Sequence, residues 1–185
     1  ENFGSNTLLT SKNCLTGTDR VAEVSEKINA EQYINLQGDE PIFPVNELRD
    51  FINKANKNPK EIYTGIKKIT NEEDYRNLSI PKMVFSTSKK LLYSSRAPIP
   101  SNKKNYFNKA YKHVCVYAFN KSHLKLFNNQ EVKTLFELEE DLEINRFLEL
   151  DITVRCIELQ KSGKALDTQE DFKAIKSLIL NNSRT

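Results

Sequence analysis

The pentapeptide QGDEP at positions 37–41 directly follows a short apolar run, YINL, at positions 33–36. Two adjacent carboxylates, Asp39 and Glu40, therefore come after a strand-like segment, between a glycine and a proline. Ligands of open α/β sheets gather at the carboxyl ends of strands, where Mg²⁺ carrying a nucleotide phosphate needs one or two carboxylates. The same residue types also build solvated turns. Taken alone, the pentapeptide slightly favours the turn.

Strand-like and helix-like patterns alternate on both sides of this pentapeptide. Helices are predicted at 19–28 with Thr18 as N-cap, at 45–55 with Pro44 able to open the helix, near 122–127, and from 135 to about 150. Strands are predicted at 32–36, 63–69, 82–85, 91–94, 114–119 and 152–156. A capping-box pattern at 168–171 opens a closing amphipathic helix. The alternation predicts one layered α/β domain over residues 1–185 with a largely parallel sheet.

Composition limits the classes of partner. The chain has 185 residues, 38% of them hydrophobic and 29% charged, which is enough for one substantial core. Its net charge of +3 is spread along the sequence. Because nucleic-acid binders concentrate basic residues on one face, this distribution argues against a nucleic-acid partner. A mild positive bias suits an anionic nucleotide and a sugar acid.

The spacing of the cysteines and the length of the apolar runs indicate the cellular compartment of the protein. Cys14, Cys115 and Cys156 are odd in number and widely spaced, which predicts reduced thiols without a disulfide framework or zinc site. The longest unbroken apolar stretch, 114–119, is far too short to cross a bilayer. Nothing resembles a secretory signal, so a cytoplasmic location without a membrane partner is expected.

Several short motifs occur in a fixed order along the chain. They are TGTDR at 16–20, QGDEP at 37–41, SRAPIP at 95–100, KH at 112–113, LEINR at 142–146 and LDTQED at 166–171. Together they resemble the 3-deoxy-manno-octulosonate cytidylyltransferases (CMP-Kdo synthetases) over nearly the whole chain. The resemblance implies a three-layer α/β/α, Rossmann-like nucleotide-diphospho-sugar transferase fold with a mostly parallel mixed sheet. Relative to that family, the first strand and the triphosphate loop are missing, so an N-terminally truncated cytidylyltransferase domain is expected.

The resemblance also implies a reaction and a metal. The expected activity is transfer of CMP from CTP to 3-deoxy-D-manno-octulosonate (Kdo), with release of pyrophosphate, for lipopolysaccharide biosynthesis. Asp39 and Asp167 match the family's metal-binding aspartates and are the expected catalytic residues, holding Mg²⁺. A metal there would bridge the phosphates and lower the pKa of the attacking hydroxyl, so no dedicated protein base is required. Without the resemblance, helix capping is the better interpretation of Asp167.

The resemblance assigns further residues to two pockets. The expected nucleotide contacts are Thr16, Gly17, Thr18 and Arg20, and the expected sugar contacts are Gln37, Arg96, His113, Tyr117 and Glu143. Arg96 would face the sugar carboxylate as a planar fork of donors. These residues also have ordinary structural roles: a helix N-cap in the segment 16–20, a structural histidine at 113, or a surface ion pair between Glu143 and Arg146.

Two departures from the family pattern leave the sugar open. Ile144 stands where the family has glutamine, and SNK at 101–103 replaces a Trp-Asp-Arg segment. Both are interpreted as lying on the sugar side, so an 8-amino relative of Kdo or another acidic sugar is one alternative. A non-catalytic nucleotide- or sugar-binding remnant is the other. The family works as a homodimer, and residues from about 135 to 159 are the candidate contact surface.

Overall fold

The computed structural model describes residues 6–38, 42–162, 172–173 and 176. Six helices and six strands are defined within these ranges. The helices are α1 (Gly17–Lys27), α2 (Val45–Ala55), α3 (Glu72–Arg76), α4 (Lys121–Asn128), α5 (Leu135–Glu140) and α6 (Ile144–Glu149). The strands are β1 (Tyr33–Leu36), β2 (Ile62–Lys68), β3 (Lys82–Phe85), β4 (Leu91–Ser95), β5 (Tyr111–Phe119) and β6 (Val154–Glu158).

The six strands form one mixed sheet in the order β4-β3-β5-β2-β6, with β1 beside β5. Strands β1, β2, β3 and β6 run in one direction, and β4 and β5 run in the other. The predicted α/β class and mixed sheet are confirmed, but the expectation of largely parallel pairing is wrong for the described strands. Only β2 and β6 pair in parallel, because the reversed strand β5 lies between β2 on one edge and both β1 and β3 on the other.

The alternation of side chains along β5 separates two cores. Val114, Val116 and Ala118 point to the face covered by Phe51 and Ala55 of α2. Tyr117 and Phe119 point to the opposite face, where they pack with residues of α1, α4 and α6, namely Ala22, Leu124, Phe127, Ile144 and Phe147. Helices therefore cover both faces of the sheet, which gives the predicted three layers.

The sheet has a gap along one edge of β5. Strands β1 and β3 share one edge of β5, where Leu36 pairs with Val116 and Lys82 pairs with Lys112. Between these two pairs, residues 113–115 have no strand beside them on that edge in the described part of the chain. The carboxyl end of β1 and the start of β3 therefore flank an opening over the first half of β5.

Two predicted helix boundaries are wrong, and both corrections matter for the site. Helix α1 is capped by Thr16 rather than Thr18, since the Thr16 and Asp19 side chains form a reciprocal capping box. The single helix predicted from 135 to about 150 is two helices, since Asp141 adopts a left-handed conformation (φ 50°) that ends α5. Aspartate tolerates this conformation better than most residues, and the Leu142 amide closes the turn on the Glu137 carbonyl.

The closing segment is described only in part. Phe172, Lys173 and Lys176 are helical, within the predicted last helix. The predicted capping box at 168–171 lies outside the described residues. In the portion of the chain that the structure defines, no helix has the length and apolar character needed to span a membrane.

Candidate active site

A cleft of about 560 Å³ opens at the gap between β1 and β3. It is bordered by loops that follow β1, β4 and β6, by the first half of β5, and by the turn between α5 and α6. The lining residues are Leu15, Thr16, Gln37, Ser79, Ile80, Pro81, Arg96, Lys112, His113, Cys115, Tyr117, Lys133, Asp141, Leu142, Glu143 and Ser162. All five sugar contacts expected from the sequence, together with Thr16 of the expected nucleotide segment, line this one cleft.

Local structure explains how these side chains meet. His113, Cys115 and Tyr117 alternate along β5 and therefore project from the same face of the strand. Gln37 directly follows β1. Glu143 enters the cleft because the turn at Asp141 separates α5 from α6 and leaves Glu143 as the N-cap of α6.

Glu143 joins the two expected pockets. Its Oε2 accepts a hydrogen bond from the Thr18 amide at 2.9 Å, and its Oε1 accepts one from Gln37 Nε2 at 2.7 Å. Burial raises the pKa of Glu143, while the bonds from the start of α1 oppose that shift. A Cβ on Gly17 would lie 3.3 Å from Gln37 Nε2, so the missing side chain allows this close packing.

The floor of the cleft carries a neutral histidine. His113 is buried, and its Nε2 lies 2.9 Å from the hydroxyl of fully buried Thr64. Burial lowers the pKa of His113 to about 4, so the imidazole is uncharged at neutral pH. Its Nδ1 has no hydrogen-bond partner among the residues that the structure describes. The ring packs edge-on against Tyr117, with 5.4 Å between centroids. An uncharged imidazole with a spare nitrogen suits a hydroxyl group of a ligand.

One side of the cleft is cationic. Arg96 donates to the backbone carbonyls of Glu140 (2.7 Å), Leu78 (3.2 Å) and Asp141 (3.3 Å). Lys112 and Lys133 also line the cleft, and Lys133 pairs with the exposed carboxylate of Asp141 at 2.7 Å. The carbonyl partners fix the direction of Arg96, and the exposed Asp141 carboxylate, 4.0 Å from Nη2, offsets only part of its charge. This side of the cleft therefore suits an anion.

Sequence reasoning missed the roles of three residues around the cleft. Lys112 belongs to the quoted KH motif but was not assigned to the site, and nothing in the local sequence singles out Lys133. The third is Arg146, for which a surface pair with Glu143 was one interpretation. That interpretation is wrong, because Arg146 is fully buried and pairs with Asp19 at 2.8 Å and with Glu137 through two hydrogen bonds.

Arg146 links two helix starts. Asp19 accepts hydrogen bonds from the backbone amide and the hydroxyl of Thr16, the N-cap of α1. Glu137 accepts a hydrogen bond from the backbone amide of Thr134, the N-cap of α5. A single guanidinium thus holds the segment that carries Thr18 against the helices that carry Glu143.

The structure does not bring Arg20 into the cleft. Its side chain is exposed and donates to the Thr10 hydroxyl at 2.7 Å and to the Ser11 carbonyl at 3.1 Å. Gly17 and Thr18 approach the cleft through their contacts with Gln37 and Glu143. The expected nucleotide segment is therefore at the site through its first three residues.

The two departures from the family pattern lie away from the cleft lining. Ile144 is buried in the core, with 1% of its surface exposed. Residues 101–103 are exposed and are not among the lining residues. Neither departure therefore changes a lining side chain, which weakens the argument for a different sugar.

The expected metal ligands, Asp39 and Asp167, lie outside the described residues. Among residues that the structure does describe, no group of three or more His, Cys, Asp or Glu side chains is arranged to hold a metal ion. Gln37 and Ser162 both line the cleft, two residues before Asp39 and five residues before Asp167. Strands β1 and β6 run in the same direction, so the segments that lead to both aspartates leave the same edge of the sheet.

Comparison with known proteins defines the class first. The family described as Cytidylyltransferase matches residues 1–154. A solved structure of a CMP:2-keto-3-deoxy-manno-octonic acid synthetase complexed with CTP superposes with a TM-score of 0.88 at 29% identity. That match covers 98% of this chain and 75% of the other. A glucose-1-phosphate thymidylyltransferase structure from Bacillus anthracis shares the fold at 14% identity, with a TM-score of 0.61, covering 95% of this chain and 66% of that one. The fold and the matching family are those of a cytidylyltransferase.

Sequence relatives then narrow the class to a family. The 3-deoxy-manno-octulosonate cytidylyltransferases of Thermodesulfovibrio yellowstonii and Elusimicrobium minutum are each 33% identical to this chain. Each alignment covers 97% of this chain and 75% of the relative. The chain therefore belongs to the 3-deoxy-manno-octulosonate cytidylyltransferase family, as its motifs predicted.

Proposed function

We propose that this protein transfers CMP from CTP to Kdo, giving CMP-Kdo and pyrophosphate. The observation that carries the proposal is the convergence of Gln37, Arg96, His113, Tyr117 and Glu143 on one cleft, beside the start of α1. These residues come from four separate segments of the chain, and the family resemblance assigns each of them to the sugar. The reaction for which the relatives are named, and the CTP complexed with the similar synthetase, support the same assignment.

The charge and hydrogen-bonding groups of the cleft fit the two substrates. Arg96, with Lys112 and Lys133 nearby, would hold the sugar carboxylate. His113 and Gln37 would bind sugar hydroxyls, and Glu143 would keep Gln37 in place through their 2.7 Å hydrogen bond. Thr16, the N-cap of α1, lines the cleft, and polar edges of the base could bind beside it. These groups would orient the anomeric hydroxyl for in-line attack on the α-phosphate of CTP.

Asp39 and Asp167 are the proposed Mg²⁺ ligands. Two arguments support these ligands. The first is chemical, because Mg²⁺ prefers carboxylate oxygens. The second is distance: Asp39 follows the lining residue Gln37 by two residues, at most about 7 Å of chain, and Asp167 follows Ser162 by five residues, at most about 18 Å. When bound, Mg²⁺ would neutralise phosphate charge and lower the pKa of the attacking hydroxyl. The cleft side chains would still select and orient the sugar in its absence.

Pyrophosphate release from CTP and Kdo, with and without Mg²⁺, tests the proposal. We expect Mg²⁺-dependent release and a product that contains one CMP per sugar. Asp39→Asn and Asp167→Asn should each abolish release, whereas Asp50→Asn, on the exposed side of α2, should not. Release only with the 8-amino sugar would identify that sugar as the substrate. Binding of CTP or Kdo without release would identify a non-catalytic binding protein.

We also propose a homodimer through the apolar surface formed by Val132, Leu135, Phe136 and Leu138. These side chains are 73%, 63%, 47% and 60% exposed, and large exposed apolar patches mark interaction sites. Sedimentation analysis should show a dimer that Leu138→Glu dissociates. Leu92→Glu, at an equally exposed leucine on β4, is the matched control. A monomer at all concentrations would contradict this assignment.

A pathway and a compartment follow from the proposed product. CMP-Kdo is an activated sugar, and we propose that it serves lipopolysaccharide assembly in the cytoplasm. Loss of Kdo from the lipopolysaccharide of cells that lack this protein would support the pathway.

A further inference from the structure

Lys82 is a lysine in an unusual place. It opens β3, its surface is fully buried, and its Nζ donates to the carbonyls of Asn77 (2.9 Å) and Ile80 (2.7 Å). In the described ranges, no carboxylate lies within 4.0 Å of this ammonium group. Lysine is almost never fully buried unless it is paired, because burial disfavours its charge. Because burying an ammonium group costs free energy, we ask which part of the structure its hydrogen bonds stabilise.

The two carbonyls belong to a segment that borders the cleft. Residues 77–81 form a turn in which the Ile80 amide donates to the Asn77 carbonyl at 3.1 Å. Three members of this segment, Ser79, Ile80 and Pro81, line the cleft. The ammonium group of Lys82 stabilises this turn, because it donates hydrogen bonds to the carbonyls of the first and fourth residues of the turn.

The same segment contacts two of the residues that are proposed to hold the sugar, the side chain of Arg96 and the backbone of His113. The Leu78 carbonyl accepts a hydrogen bond from Arg96 Nη1 at 3.2 Å. The Pro81 carbonyl accepts one from the His113 amide at 2.9 Å. A displaced turn would therefore move one support of Arg96 and break the backbone hydrogen bond from His113 to Pro81.

Lys82 also adds charge on this side. Burial lowers the pKa of Lys82, the nearby positive charge of Arg96 lowers it further, and the carboxylate of Glu140 opposes part of this shift. Two neighbouring cations, one buried and one partly exposed, raise the positive potential that an incoming anion experiences, and Glu140 offsets part of it. An anionic ligand would relieve this repulsion.

We propose that Lys82 is a positioning residue for the acidic sugar, acting through the 77–81 turn on Arg96. This inference rests on the proposed function of the cleft and adds a residue that does not itself line it. It predicts a selective effect: affinity for the sugar should depend on Lys82, while affinity for CTP should not.

Isothermal titration of Kdo and of CTP, each alone, provides the test. Lys82→Met keeps the side-chain length but removes both the charge and the donors, and should weaken Kdo binding by about tenfold or more. Lys82→Gln keeps a donor and should be intermediate. CTP binding should change by less than about twofold in both variants. Lys90→Met, at an exposed lysine of the same β3–β4 hairpin, is the matched control and should behave as wild type.

A double-mutant cycle distinguishes positioning from a general loss of structure. If Lys82 acts through Arg96, Lys82→Gln should weaken Kdo binding much less in an Arg96→Met background than in wild type. Equal losses in both backgrounds, equal weakening of Kdo and CTP, or unchanged Kdo binding would each overturn the proposal. Because binding is measured without turnover, failure of the wild-type protein to release pyrophosphate would count against the proposed function and not against Lys82.

Discussion

The two sides of the cleft treat positive charge in opposite ways. On the side formed by α1, α5 and α6, which we call the helix side, Arg146 is fully buried between two carboxylates. On the side formed by Arg96, Lys112 and Lys133, which we call the cationic side, Arg96 is about a third exposed, donates to three carbonyls, and has one exposed carboxylate, that of Asp141, at 4.0 Å. Charge that is compensated inside the protein holds helices together. Charge that is oriented by carbonyls and paired only with an exposed carboxylate stays available for a ligand.

Removing the guanidinium of the helix side should give the largest effect. In Arg146→Met, Asp19 and Glu137 remain buried without a counter-charge, and the free energy of unfolding should fall by about 3–5 kcal/mol. Urea denaturation measures this. Arg155→Met is the matched control, because Arg155 pairs with Glu61 at a partly exposed site and should cost no more than about 1 kcal/mol. Similar losses in the two variants would contradict the contrast between buried and exposed pairs.

Protonation of His113, on the floor of the cleft, should cause the next largest loss in the free energy of unfolding. The unfolded imidazole of His113 binds a proton below about pH 6.5, whereas the folded one stays neutral down to about pH 4. The unfolded state therefore gains protons first as the pH falls, and stability should drop by up to about 3 kcal/mol between these values. His113→Gln should flatten that part of the pH–stability curve. A parallel curve for the variant would show that other groups cause the loss.

Removing Arg96 should separate binding from stability. In Arg96→Met the sugar loses a charge-assisted partner, so the KM for Kdo should rise by about 10- to 100-fold. The free energy of unfolding should change by less than about 1 kcal/mol, because the side chain is partly exposed. Steady-state kinetics and urea denaturation of the same preparation measure both. Loss of stability as large as that of Arg146→Met would remove the distinction between the two sides.

The smallest effect is expected at Arg20. Since its side chain points away from the cleft to Thr10 and Ser11, Arg20→Gln should change the KM for CTP by less than about twofold. A rise of about tenfold would instead support the nucleotide contact that the sequence motif suggests. The variant thus decides how far the helix side of the site extends along α1.

Much of the fold was predictable from the sequence. The two errors in the prediction concern features that the periodicity of a single segment does not reveal. Strand β3 has its predicted bounds, and the α/β class is confirmed. The direction of β5 was not predictable, because strand periodicity is the same for either direction. The break at Asp141 was also missed, since Leu135, Leu138 and Leu142 keep a helical spacing across it.

The sequence alone determined the family, the order of the motifs and the set of residues that should meet a sugar, because these depend on residue identity at fixed positions. Tertiary structure decided which partners those residues have. Glu143 binds an amide 125 residues away, Arg146 spans two helix starts, and Lys82 fastens the turn beside Arg96. Such contacts join segments that approach each other only when the sheet and its helices pack. A local pattern records the periodicity of one segment and carries no information about the segment that will lie against it.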